Sequence, residues 1–187
     1  TPRRRDVANI QNDGNERGHY PLFLGADLGF SDSINVTYPE LEALYEVQMG
    51  QFWRETEFSL TQDKADLRTC DKSSRDIMIF NLMSQWLMDS VASRSIMSLL
   101  EPFTSNNELM KVLSAWSLFE NIHAASYSLI IRQCFDNPND VIEDAKKNIA
   151  VMYRSNLIRK VFNETSRMAA EYSLDKDSIP MRDLKKQ

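Results

Sequence analysis

The sequence predicts an all-α fold, a bundle of long helices, and three observations carry that expectation. All five glycines, Gly14, Gly18, Gly25, Gly29 and Gly50, lie in the first 50 of 187 residues. Sheets use glycine at hairpins and bulges, so a long glycine-free stretch argues for helix. After residue 50 the prolines are Pro102, Pro138 and Pro180, each beside turn-forming residues, where they read as separators between helices. Between those separators, apolar residues recur at helical intervals.

Residues 1–36 are polar and glycine-bearing, and are expected to form an extended arm, partly disordered at its start, ahead of a helical body over 37–187. A first helix is expected to open at Thr37, which stands at capping-box spacing from Glu40, and to end near Trp53. Leu41, Leu44, Tyr45, Met49 and Phe52 form its apolar stripe, with Glu42 and Glu46 facing water. The second helix runs from about Ser73, paired with Asp76 as a start signal, to Leu100, with Pro102 just beyond. Its middle, Phe80 to Ala92, is apolar nearly all round, the mark of a helix surrounded by others. The third helix is expected from Ser105, with Glu108 at capping-box spacing, to Phe135, where Asp136-Asn137-Pro138 stops it. A fourth, more polar helix spans about Val141 to Tyr172, with Ile149, Met152, Tyr153 and Val161 as its expected buried stripe. Leu174 to Gln187 carries charge but little core.

Composition narrows the function. Lysine and arginine number 22 against 27 acids, a net charge of −5, so no general basic field draws phosphates and no nucleic-acid partner is expected. Arg3-Arg4-Arg5, a dense basic run at a chain end, reads as a solvated tail. No run approaches the roughly 18 apolar residues of a membrane span, and the start lacks the apolar core of a secretory signal. A cytoplasmic protein with no membrane partner is the expectation. Cys70 and Cys134 form no C-x-x-C pair and fit free thiols.

The chemistry-bearing residues cluster on the two long helices. Glu120 and His123 are three residues apart on the third helix, and Tyr127 is four further on, so all three share one face. Their neighbours Trp116, Phe119, Ile122, Leu129 and Ile130 are mostly apolar, where a carboxylate is costly unless paired or bound to a cation. A Glu-x-x-His pair alone recurs by chance, as a surface glutamate beside a core histidine. Asp89 changes that reading, because it sits between Met88 and Val91 in the other buried helix. Two long helices, each with an acid in its apolar middle and one adding an imidazole, are the parts of a carboxylate-bridged dimetal site in a bundle. Hard carboxylate oxygens with one imidazole suit iron or manganese.

Asn81-Leu82, Gln85, Leu87, Asp89-Ser90 and Arg94-Ser95 resemble the aspartate-bearing helix of the class I ribonucleotide reductase small subunit, the radical-generating β chain. Trp116, Glu120, Ile122-His123, Ser126-Tyr127 and Ile130-Ile131-Arg132 are similar to that family's ligand and radical helix. Phe52-Trp53-Arg54 with Glu57 resembles its first tryptophan motif, and the three motifs stand in the family's order, with a fitting interval from Asp89 to Glu120. The match is good over roughly Leu41 to Pro138 and looser elsewhere. Glu55 stands where the family usually has proline, and Ala124-Ala125 replaces more polar residues, which bears on tuning more than on metal binding.

The resemblance implies a ferritin-like helical bundle, here its N-terminal half, with Asp89, Glu120 and His123 as ligands of a dinuclear metal centre. It further implies Tyr127 as the side chain oxidised to a stable radical. Trp53 is implied as part of the path that passes the oxidising equivalent to the large catalytic (alpha) subunit, which makes deoxyribonucleotides. Trp116, one turn before Glu120, is a candidate hydrogen-bond donor to a ligand carboxylate.

The family's second ligand set, an acid and another Glu-x-x-His, is not expected in this chain. Glu16-Arg17-Gly18-His19 has the spacing, but Gly18 and its polar surroundings argue against a helix, and His19 reads as exposed. Met181 to Gln187 resembles the stretch leading into the family's next ligand helix. The expectation is an N-terminal piece of a split or truncated small subunit, inactive until a C-terminal half supplies the remaining ligands and the completed subunits pair as dimers. Two copies of the chain building one symmetric site is the second arrangement. A ferritin-like dimetal oxidase half and a non-catalytic helical interaction module are the competing functions.

Overall fold

A computed structural model describes residues 2–6, 8–11 and 21–179. Its helices are α1 (Pro39–Gly50), α2 (Thr61–Thr69), α3 (Lys72–Leu100), α4 (Asn107–Cys134), α5 (Pro138–Lys147) and α6 (Ile149–Leu174), with 3-10 turns at Glu55–Glu57 and Glu101–Phe103. Among the described residues the extended pairing is limited to an antiparallel bridge between Phe23 and Thr104. No described helix is long and apolar enough to cross a membrane. The expected all-α architecture is therefore what the chain adopts. Its residues form two compact units, one of Thr1–Gln51, Ser95–Ser117 and Val161–Gln187, the other of Phe52–Arg94 and Leu118–Lys160.

In the first unit the arm is held against helix ends by backbone and charge. Leu24 N–H donates to Phe103 O at 2.8 Å and Ser105 N–H to Leu22 O at 3.0 Å. Ser105 Oγ donates to Pro21 O at 2.6 Å and accepts from Gly25 N–H at 3.0 Å. A Cβ on Gly25 would lie 2.7 Å from Pro21 Cγ and 2.8 Å from Ser105 Oγ, so only glycine fits there. Arg5 pairs with Glu101, and Lys176 pairs with Asp27 at 2.5 Å, with both members of the second pair largely buried. The buried apolar residues of this unit include Ile96, Leu99, Leu113, Ala169 and Tyr172.

The second unit packs Leu67, Leu82, Met83, Ile131, Cys134, Phe135, Val141 and Ala145 into one core, with Trp86, Tyr127 and Ile130 against its edge. Leu67 is what holds α2, an otherwise polar helix that the hydrophobic pattern did not predict.

The helix boundaries correct three expectations. Helix α1 starts at Pro39 and ends at Gly50, because proline suits the first helical turn. Thr37 N–H donates to Glu108 Oε1 at 2.7 Å, and no side chain caps α1. None of its residues is buried, and Leu44 is exposed. Helix α4 is capped by Asn106, whose Oδ1 accepts from Leu109 N–H at 2.8 Å, while the expected cap, Ser105, is engaged with the arm. The single fourth helix is two. Asn148 is extended (φ −75°, ψ 110°) and its Oδ1 accepts from Ala150 N–H at 3.0 Å and Val151 N–H at 3.3 Å, ending α5 and capping α6. The stripe expected to be buried on α6 is exposed instead: Ile149 is 85% and Tyr153 65% accessible, and Met152 and Val161 are also exposed. Val151 on the opposite face is the buried one.

Candidate metal centre

Helix α3 holds Asp89 and helix α4 holds Glu120, His123 and Tyr127, all within the second unit. The i, i+3 spacing places His123 beside Glu120, with Nδ1 3.3 Å from Glu120 Oε2. Asp89 arrives from the other helix, with Oδ2 3.7 Å from the same Nδ1. One donor atom from each of Asp89, Glu120 and His123 falls within 4.8 Å of the others. The side chains of Asp89 and Glu120 are only 21% and 14% exposed, so two like charges share a partly dry pocket.

That arrangement has an electrostatic signature. Burial, and then the neighbouring Glu120 carboxylate, raise the Asp89 carboxyl above its ordinary range, against the pull of Tyr127 and His123. The Tyr127 phenol faces Asp89 and is pushed up to about 12, first by burial and then by the Asp89 charge. A cation between the carboxylates would remove the repulsion that burial strengthens. Two carboxylate oxygens and an imidazole nitrogen form a hard donor set that fits iron or manganese.

Trp53 follows the end of α1 and lies next to the cluster, its ring centroid 6.2 Å from that of His123 at a tilt of 31°. Phe58 also meets the indole, edge-on, at 5.6 Å and 71°. The sequence carried no sign of Phe58, an exposed aromatic five residues beyond the tryptophan. Nor could it show that the phenol of one helix reaches the aspartate of another.

The structure thus brings together Asp89, Glu120, His123, Tyr127 and Trp53. Trp116 is a half-exposed residue of α4. Cys70 is an exposed and Cys134 a buried free thiol, the latter pushed up by burial. His19 and the stretch Met181 to Gln187 lie outside the described residues.

Comparison with known proteins gives a consistent result. Residues 32–177 match the family model described as "Ribonucleotide reductase, small chain". The chain is 31% identical over 160 residues to the ribonucleoside-diphosphate reductase subunit beta of Haemophilus influenzae, covering 86% of this chain and 43% of the relative. It is 32% identical over 154 residues to the subunit of that name from Buchnera aphidicola of Schizaphis graminum, covering 82% and 41%. The subunit beta of enterobacteria phage T4 is 28% identical over 159 residues, covering 85% and 41%. Among solved structures, the ribonucleotide reductase R2 subunit from Clostridium botulinum superposes with a TM-score of 0.79 at 17% identity, over 88% of this chain and 51% of that one. That likeness is one of fold. The chain spans less than half the length of the curated relatives it matches.

Proposed function

The chain belongs to the ribonucleotide reductase small-chain family, and from that premise we propose that it forms the N-terminal part of the radical-holding subunit of a ribonucleoside-diphosphate reductase. In this reading Asp89, Glu120 and His123 are its share of the ligands of a dinuclear centre of iron or manganese. A C-terminal portion carrying the other half of the bundle supplies the rest. When bound, that centre supplies, with oxygen, the oxidising power that no amino-acid side chain generates alone.

The chain's own residues then have separable tasks. Glu120 and His123 present oxygen and nitrogen from one helix face, and Asp89 adds the oxygen of a second helix. Tyr127 holds the oxidised side chain. Its phenol, pushed up to about 12, keeps its proton at neutral pH, so the electron must leave together with that proton. Asp89, the carboxylate that faces the phenol, is the acceptor of that proton. The packing of Tyr127 against the core of Leu82, Ile131 and Phe135 keeps water away from the ring. Trp53, beside His123, is the first member of a relay toward the large catalytic subunit, and completed small subunits pair as dimers.

The observation that carries this reading is the convergence of three donor atoms from two helices within 4.8 Å, with the Tyr127 phenol facing one of their carboxylates. Manganese(II), titrated into the chain and followed by electron paramagnetic resonance, tests it. Asp89→Asn, Glu120→Gln and His123→Ala should each weaken binding. Equal manganese binding by all four proteins would overturn the assignment and favour a non-catalytic helical module.

A further inference from the structure

The indole of Trp53 meets two rings, and only one of them belongs to the cluster. His123 lies 6.2 Å away at a tilt of 31°, close to a stacked arrangement. Phe58 is the second ring, edge-on at 5.6 Å and 71°, the geometry in which a positive ring edge meets a negative ring face. Phe58 can do so because the chain doubles back between the two aromatics. Glu57 N–H donates to Arg54 O at 3.0 Å, and Arg54 N–H donates to Glu57 Oε1 at 3.0 Å, closing the turn Glu55–Glu57 from both ends. No proline or glycine stands between Trp53 and Phe58, so the shape of this turn rests on the Glu57 carboxylate and the backbone.

We infer that Phe58, delivered by the Arg54–Glu57 turn, is a positioning residue that fixes the Trp53 indole against His123. Phe58 is itself 61% exposed, so it contributes little to a core, and its ordered contact is with the indole. A tryptophan ring without this support turns about two side-chain torsions, and its distance to the imidazole then varies. Transfer of an electron between two rings depends steeply on their separation. The clamp therefore acts on Trp53 and through it on the step between Trp53 and His123. Its functional meaning rests on the relay reading given above, whereas the clamp itself is a matter of geometry and can be measured without turnover.

The experiment uses the chain labelled with 5-fluorotryptophan, the Trp53 fluorine resonance being assigned by its loss in Trp53→Phe. The His123 ring-proton shift is recorded alongside it, since a neighbouring indole displaces it. In the wild-type chain Trp53 should give one narrow resonance. Phe58→Ala should broaden or split it and move the His123 shift most of the way to its value in Trp53→Phe, with helicity by circular dichroism unchanged. Phe58→Tyr should restore both signals, and Phe58→Leu, which keeps bulk without a ring, should restore neither in full. Glu57→Ala should act in the same direction as Phe58→Ala through the turn, giving a second route should Phe58→Ala not fold. Unchanged fluorine and histidine signals in folded Phe58→Ala or Phe58→Leu would overturn the inference. A clamp that behaves as described, in a completed reductase whose turnover ignores Trp53→Phe, would sink the relay reading and leave the clamp standing.

Discussion

The phenol of Tyr127 on α4 faces the carboxylate of Asp89 on α3, so the candidate radical residue and a candidate metal ligand meet across two helices. This contact ties the chemistry of one to the charge of the other. Removing the phenol oxygen in Tyr127→Phe should destabilise the chain by less than about 1 kcal/mol, as read from a urea unfolding midpoint. In a completed reductase the same variant should keep its metal and lose the tyrosyl signal and turnover. Substrate turnover that persists would favour the dimetal oxidase reading.

Asp89 also sets a pH dependence. Burial and the Glu120 charge raise its carboxyl in the folded chain. A raised acid binds its proton more tightly when folded than when unfolded. Its contribution to stability is therefore fully present below the unfolded carboxylate value, and is lost as pH rises through the raised folded one. On this account the metal-free chain should lose stability as pH rises from the ordinary carboxylate range through the raised value of Asp89. Asp89→Asn should flatten that slope and be the more stable protein at neutral pH, while binding manganese less well. Denaturation midpoints across the range measure the first effect. A wild-type slope retained in Asp89→Asn would show that Asp89 is not its source.

Asn106 is 1% exposed and caps α4 through Leu109 N–H. Its amide also donates to Glu108, whose other oxygen accepts from Thr37 N–H at 2.7 Å. Asn106→Ala should cost about 2 kcal/mol, the upper part of the range for N-caps, because the loss is buried and shared. Asn106→Asp should recover little of it, because its carboxylate can accept from Leu109 N–H but has no proton to give Glu108 and repels that buried acid. Chemical unfolding measures both, and an alanine variant as stable as wild type would mean that α4 is capped by something else.

Gly25→Ala tests the attachment of the arm. The added methyl would fall 2.7 Å from Pro21 and 2.8 Å from Ser105, inside any normal contact. Overpacking of this kind costs about 1–3 kcal/mol. Faster hydrogen exchange at Leu24 and Ser105, whose amides bond across the arm, should accompany the lowered unfolding temperature.

The parts of this fold that could be read from the sequence are those in which a pattern runs unbroken. Helix α3 betrays itself by apolar residues on nearly every side of its middle, and Asp89 by being the one charged residue between Phe80 and Ala92. Glu120, His123 and Tyr127 share a face because helical spacing alone dictates it. The failures come where side-chain chemistry decides between near-equal signals. Ser105 and Asn106 are both good caps, and the choice fell to the one not needed by Pro21 and Gly25. Ile149 and Tyr153 looked like a buried stripe by spacing, yet Val151 faces inward, since periodicity gives a face without saying which way it turns. The contacts of Tyr127 with Asp89 and of Trp53 with His123 join distant segments, and local pattern carries no information on them.

The break at Asn148 has a consequence for how this chain can change over time. Neither a proline ring nor a glycine creates it; one amide oxygen accepting two backbone N–H groups does. Such a break is within a single codon change of disappearing. A substitution at this one position takes away the side-chain acceptor of two backbone N–H groups and with it the cap of α6.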